Sequence, residues 1–317
     1  MNIGKFIGAA LTALLLLPLA ACDRDGKQEQ GATQAAIDPK FLAEDAAWRA
    51  QRKEDLLKPD GWTSLVGLHW LELKAHYLGS GADSGIRLAV GPPKMGLLEQ
   101  RDGRVFFTPE RGVALTLNGE PLKGRVELET DRDEVPGVVG FDEGKGVLTV
   151  IKRGERYGLR VRHADAPTRL QFKGLEYWPA DPGWKVTGKF VPHPPGKTLP
   201  IVDIIGTTTD APNPGAVEFV REGKTYRIEA IGEQGSDELF LVLADRTSGH
   251  GSYAAGRFMD TPSPDAQGRV VLDFNRAYNP PCAFTPFATC PLPPPENRLD
   301  LAITAGEKAY AHTIASK

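Results

Sequence analysis

The sequence predicts a mainly β fold, with one N-terminal helix followed by two packed β-rich units, a sandwich and a second sheet or open barrel. Three observations predict it. Beyond Gly61 the chain is written in short runs of Val, Leu, Ile, Thr and aromatic residues, which suit a pleated, half-buried surface. These runs are separated by Gly, Pro, Asn and Asp, and 35 Gly with 26 Pro in 317 residues supply the punctuation that many short strands need. Two dipeptides, Asn118-Gly119 and Glu222-Gly223, each lie between alternating segments, where a tight hairpin needs two residues at positive φ.

The elements follow in order. A single charge, Lys5, precedes an apolar run over residues 6–19, which is too short and too rich in small residues at its end for a membrane span and reads as a signal peptide over residues 1–21. The run closes on Leu19-Ala20-Ala21-Cys22, which resembles the lipobox of bacterial lipoproteins. That resemblance implies cleavage before Cys22 and lipidation of its thiol, so the membrane is an expected partner and the expected location is the cell envelope, facing the periplasm. Each methylene buried by an acyl chain contributes about 0.8 kcal/mol, and several chains make a stable anchor. Asp23 follows the cysteine and resembles the inner-membrane retention signal of enterobacteria. Residues 22–37 are polar and small, and bury too little apolar surface to offset their ordering entropy, so they read as a tether.

Asp38-Pro39 has the pattern of an N-cap followed by proline at the first helical position, and helix formers continue to Lys58 before Pro59. This predicts a helix within residues 38–60. A boundary near Ala166-Pro167 divides the rest into a sandwich-like unit, residues 61–166, and a second β-rich unit, residues 167–317. No fixed-period repeat is present, which disfavours a propeller or solenoid. A net charge of −3 without a basic stripe argues against a nucleic-acid partner.

The densest signature lies near the C-terminus: Leu272-Asp273-Phe274-Asn275-Arg276-Ala277-Tyr278-Asn279-Pro280-Pro281-Cys282, then Ala288-Thr289-Cys290-Pro291, Glu296-Asn297-Arg298-Leu299 and Ala305-Gly306-Glu307. With Gly67-Leu68-His69-Trp70 and Gly174-Leu175-Glu176-Tyr177-Trp178-Pro179 upstream, it resembles the family of domain of unknown function 1684, across nearly all of the expected mature chain. The resemblance implies kinship and no particular activity. Residues 77–163 show a looser similarity to forkhead-associated β-sandwiches through Gly79-Ser80 and Asn118-Gly119-Glu120. Residues 92–97 lack the Arg, Ser and His with which that class reads phosphopeptides, so only the fold is implied.

With Cys22 committed to lipid, Cys282 and Cys290 remain in an oxidising compartment, and a local disulfide is expected. A loop this short would gain roughly 2–3 kcal/mol from closure. Seven prolines between Pro280 and Pro295 already stiffen the segment. A metal is not expected, because these cysteines lack a paired Cys-x-x-Cys or His partner, and no cofactor is predicted.

The candidate ligand-binding or catalytic residues are Asp273, Asn275, Arg276, Tyr278, Asn279, Glu296, Asn297, Arg298 and Glu307. Rigid loops rich in such groups often carry sites, yet the same residues also satisfy stray backbone groups in irregular structure. Arg276 and Arg298 could grip a carboxylate or phosphate through their planar forks, and Asp273, Glu296 and Glu307 are the acid and base candidates. The sequence contains no P-loop, Gly-x-Ser-x-Gly elbow or His-Glu-x-x-His, which removes the common NTPase and hydrolase signatures. The expectation is therefore an envelope lipoprotein that binds a small-molecule or envelope-glycan ligand, or serves structurally, through residues 273–307. The alternative is a hydrolase or transferase on envelope glycan, peptide or lipid.

Overall fold

The computed structural model describes residues 37–311. The expected signal peptide, Cys22 and most of the tether lie outside the described residues. Helix α1 (Pro39–Leu56) begins where Asp38 Oδ1 accepts the Lys40 N–H at 2.9 Å, with Pro39 at a position whose N–H would have had no helical partner. Asp45, Arg49, Arg52 and Leu56 recur at spacings of four, three and four and therefore share one face. This face is the buried one, with Asp45 and Leu56 both buried.

The first part of the β structure contains β1 (Leu65–Trp70), β2 (Ala75–Gly79), β3 (Ile86–Arg87), β4 (Gly96–Arg101), β5 (Arg104–Pro109), β6 (Thr116–Leu117), β7 (Glu120–Pro121), β8 (Val126–Glu127), β9 (Val138–Phe141), β10 (Gly146–Arg153) and β11 (Arg156–His163). They form a six-stranded sheet in the order β1-β11-β10-β9-β6-β7 and a five-stranded sheet in the order β3-β2-β4-β5-β8. Leu78, Leu98 and Phe107 from the second sheet meet Val139, Leu148, Val150, Leu159 and Val161 from the first in one apolar core. The alternation along β11 sets Tyr157, Leu159 and Val161 into that core and sends Arg160 and Arg162 to the opposite face.

The second part contains a short helix, α2 (Pro167–Leu170), and β12 (Lys185–Pro192), β13 (Thr198–Val202), β14 (Thr208–Pro212), β15 (Gly215–Arg221), β16 (Lys224–Glu229), β17 (Glu238–Leu243), β18 (Arg257–Pro262) and β19 (Arg269–Asp273). A four-stranded sheet, β16-β15-β12-β19, is accompanied by the pairs β13-β14 and β17-β18. Its core joins Trp184, Phe219, Leu241, Leu272 and Phe274 to Leu301 and Ile303 from the irregular C-terminal segment. Both expected hairpin turns are present. Asn118 and Gly119 have φ of 50° and 90° between β6 and β7, and Glu222 and Gly223 have φ of 52° and 74° between β15 and β16.

The expected Cys282–Cys290 disulfide is not found. Both residues are free thiols, and Cys290 is buried. A hydrogen bond closes the loop instead, the Cys282 N–H donating to Cys290 Sγ at 3.0 Å, while the Tyr253 hydroxyl donates to the Cys282 carbonyl at 3.2 Å. The hydrogen bond from Cys290 holds the Cys282 thiol below its ordinary pKa and, together with burial, raises that of Cys290.

Candidate functional site

The C-terminal segment passes close to residues 274–277 because Gly306 adopts φ 76°, and a Cβ there would meet the Ala277 carbonyl at 2.4 Å. A side chain is thus excluded twice, by conformation and by space. The close approach lets the Glu307 N–H donate to the Ala277 carbonyl at 2.8 Å and the Trp178 N–H donate to the Gly306 carbonyl at 2.9 Å.

Glu307, with no exposed surface, is thereby set beneath α1. Its Oε1 accepts Arg52 Nε at 2.9 Å and its Oε2 accepts the Asn279 N–H at 2.7 Å. Arg52 also donates to the Asn279 carbonyl at 2.9 Å and lies 4.5 Å from the centre of the Tyr278 ring. Burial raises the Glu307 carboxyl pKa, and Arg52 only partly opposes the shift. A second fully buried guanidinium, that of Arg257, donates to Asp245 Oδ2 at 2.8 Å and to the Ile303 carbonyl at 3.0 Å, and it also bonds the Ala305 carbonyl. This network ties α1, β18 and the C-terminal segment together.

The structure separates the other predicted residues. Asn275 is buried and spans Asp181, accepting its N–H at 3.0 Å and donating to its carbonyl at 2.9 Å. Asp273 caps the turn that holds Asn275 and lies 3.6 Å from Arg276. The Tyr278 hydroxyl donates to Asp260 at 2.8 Å. Asn297, also buried, joins β16 to β17: its Oδ1 accepts the Glu229 N–H at 2.7 Å, and its Nδ2 donates to the carbonyls of Glu229 and Val242 at 2.9 Å each. Glu296 and Arg298 are exposed, and neither forms an ion pair among the described residues. Asp273, Glu296 and Glu307 therefore do not face one another across a cleft.

Where α1 meets this segment, several polar groups remain open. Asp45 Oδ2 pairs with Arg49 at 2.7 Å, and Arg49 donates to the Trp178 carbonyl at 3.3 Å and lies 4.3 Å from the Tyr177 ring centre. Asp45 Oδ1, the Tyr177 hydroxyl and Asn279 Oδ1 are buried without a hydrogen-bond partner. Burial raises the Asp45 carboxyl pKa despite Arg49, and it raises that of the Tyr177 phenol as well. Half-buried Trp48 meets Tyr177 edge to face with 6.4 Å between ring centres, and half-buried Trp178 adjoins Tyr177 in the chain.

Asp45, Arg49 and Arg52 were missing from the sequence-based candidates. Their signal was charge at helical spacing in register with Leu56, on what would otherwise be the apolar stripe of an amphipathic helix.

The fold and this seam define a mainly β protein whose N-terminal helix is held to a rigid polar C-terminal segment. Residues 170–308, somewhat less than half of the chain, match the family model described as protein of unknown function (DUF1684). It is similar to the solution structure of an uncharacterized protein from gene locus rrnAC0354 of Haloarcula marismortui, with 30% identity over 44% of this chain and 78% of that one and a TM-score of 0.37. It is also similar to the N-terminal FHA domain from EssC, a component of the bacterial type VII secretion apparatus, with 16% identity over 31% of this chain and 46% of that one and a TM-score of 0.25. A search of the curated proteins found no match.

Proposed function

We propose that the chain is a lipid-anchored protein of the cell envelope, held through acylated Cys22, that binds a polyhydroxylated ligand of the envelope-glycan class where α1 meets residues 273–307. The observation that carries this reading is the Asp45–Arg49 pair, whose open Oδ1 lies in a seam that also holds Trp48, Tyr177 and Trp178. A sugar hydroxyl would supply the donor that Asp45 Oδ1 needs, while indole rings offer flat apolar surface to the sugar's C–H faces. The hydrolase alternative draws no comparable support, because glycosidic chemistry needs two carboxyl groups flanking one bond. Asp273 caps a turn, Glu307 is clamped by Arg52 and Glu296 is exposed.

The test is a tryptophan-fluorescence titration of the detergent-solubilised full chain with N-acetylglucosamine oligosaccharides. Saturable binding is expected, weakened at least about tenfold by Asp45→Ala, since one lost hydrogen bond to a charged group costs about 1.5–3 kcal/mol, and weakened also by Trp48→Ala, which removes the apolar ring surface. No binding, or equal affinity in both variants, would overturn the proposal.

A further inference from the structure

The face of β11 turned away from the sandwich core carries two arginines that the fold leaves unneutralised. Arg160 is 6% exposed and Arg162 is half-buried. Both guanidinium groups lie against the same indole, 5.5 Å and 5.4 Å from the centre of the Trp62 ring. Neither forms an ion pair among the described residues. Among the described residues, the one side-chain hydrogen bond of Arg160 is a 3.4 Å contact from Nη2 to Thr289 Oγ1, the Arg162 guanidinium donates none, and the Nε of each is buried without a partner.

Neighbouring arginines show how this molecule treats a guanidinium that serves structure alone. Arg153, on the adjacent strand, places its fork on Asp131 at 2.8 Å and 3.1 Å and its Nε on Thr289 Oγ1 at 2.9 Å. Arg257, whose Nε is likewise buried without a partner, has its terminal nitrogens met by Asp245 and backbone carbonyls. Around Arg160 and Arg162, by contrast, Asp60 and Asp131 act only from beyond ion-pair distance. Burial and the two neighbouring arginines lower the Arg160 pKa to about 10, a cost that a bound anion would relieve.

We infer that Arg160, Arg162 and Thr289 form an oxyanion site, roofed by Trp62, that takes the phosphate group of a phosphomonoester. Two planar forks and a hydroxyl offer donors in several directions, which suits a tetrahedral group better than one flat carboxylate. Two uncompensated positive charges match a dianion, and phosphomonoesters are largely dianionic at neutral pH. A cleft of about 330 Å³ is lined by the same threonine together with Arg132, Arg153, Ile201, Asp203 and Asp210, and it has room for the organic part of such an ester. The site is separate from the α1 seam and does not depend on the glycan proposal.

The test is calorimetric titration of the full chain with inorganic phosphate, glycerol 3-phosphate and short-chain phosphatidic acid, with acetate as the planar monoanion. Phosphate and at least one ester are expected to bind saturably and to weaken as sodium chloride is raised. Arg162→Gln should reduce their affinity at least tenfold. Arg156→Gln, on the same strand but stacked 4.2 Å over Trp70, should leave it unchanged. A preference for phosphatidic acid over glycerol 3-phosphate identifies a lipid headgroup as the source, and the reverse identifies a soluble ester. Arg162 is only half-buried, so its variant is expected to fold, and circular dichroism checks that it does. If it does not fold, phosphate addition to the wild type and to Trp62→Phe, each followed by tryptophan fluorescence, decides: a saturable change in the wild type that Trp62→Phe loses supports the site, and no such difference overturns it. No saturable phosphate binding, equal affinity in a folded Arg162→Gln chain, or acetate binding as tightly as phosphate would each overturn the inference.

Discussion

Replacing Arg52 by Met keeps most of the side-chain volume and removes the guanidinium that holds α1 to the C-terminal segment. Glu307 has no exposed surface, and after the change its carboxylate keeps only the Asn279 N–H among its close hydrogen bonds. The Asn279 carbonyl loses its Arg52 donor at 2.9 Å, and the contact over the Tyr278 ring goes with it. Breaking a buried ion pair by removing one partner costs about 3–5 kcal/mol, which for a chain of this size lowers the melting temperature by on the order of 10 °C. Urea unfolding followed by tryptophan fluorescence measures the loss, with Trp48 on the same helix as a local reporter. Glu307→Met and the double variant complete a cycle, in which the pair should show a coupling of about 1–3 kcal/mol. The pH dependence carries its own sign. Burial already raises the Glu307 carboxyl pKa above its ordinary value, so its contribution is present at low pH and is lost as the pH rises through the folded pKa. Without Arg52 the carboxyl rises further, and the deficit of the variant should widen from acid toward neutral pH. A cost below about 1 kcal/mol, or strict additivity in the cycle, would refute the claim that this pair fixes the helix.

Asn297→Ala should cost about 3–5 kcal/mol in the same assay, because it leaves the Glu229 N–H and the Glu229 and Val242 carbonyls without their partner. Asn297→Asp should be worse at neutral pH, where a charged oxygen would face those two carbonyls, and should improve on acidification; equal losses at both pH values would contradict the assigned amide orientation. For Asp45, burial raises the pKa above 3.8, so its contribution is fully present below that value and disappears as the pH rises through the folded pKa. The stability of wild type relative to Asp45→Asn should therefore be greatest near about pH 3.5 and shrink toward neutrality, whereas a difference that grew with pH would mean that Arg49 outweighs desolvation.

Local chemistry made much of the fold legible. The cap at Asp38 with Pro39 and the turns at Asn118-Gly119 and Glu222-Gly223 are settled within a few residues of chain, and each is present. The candidate residues were legible only as a class. Polar groups around prolines marked 273–307 as irregular and demanding, but Asn275, Asn279 and Asn297 use their amides on backbone groups rather than presenting them outward. What a single sequence could not carry was pairing at long range. Glu307 finds Arg52 across 255 residues, and no periodicity links the two. Arg160 and Arg162 carry no local signal of their own, and only the fold brings Trp62 against both and Thr289 to Arg160.

The junction between Arg52 and Glu307 also sets the order in which the molecule can be completed. Closing a loop of that length costs little more than closing a moderately shorter one, because the entropy grows only with its logarithm, but the contact cannot exist until Glu307 has emerged. During synthesis, Arg52 is made 255 residues before the Glu307 that pairs with it. Through that interval the charged stripe of Asp45, Arg49 and Arg52 is compatible with water as an apolar stripe would not be. The segment can wait in solution without offering a sticky surface, and the arrival of Glu307 locks α1 to the C-terminal segment.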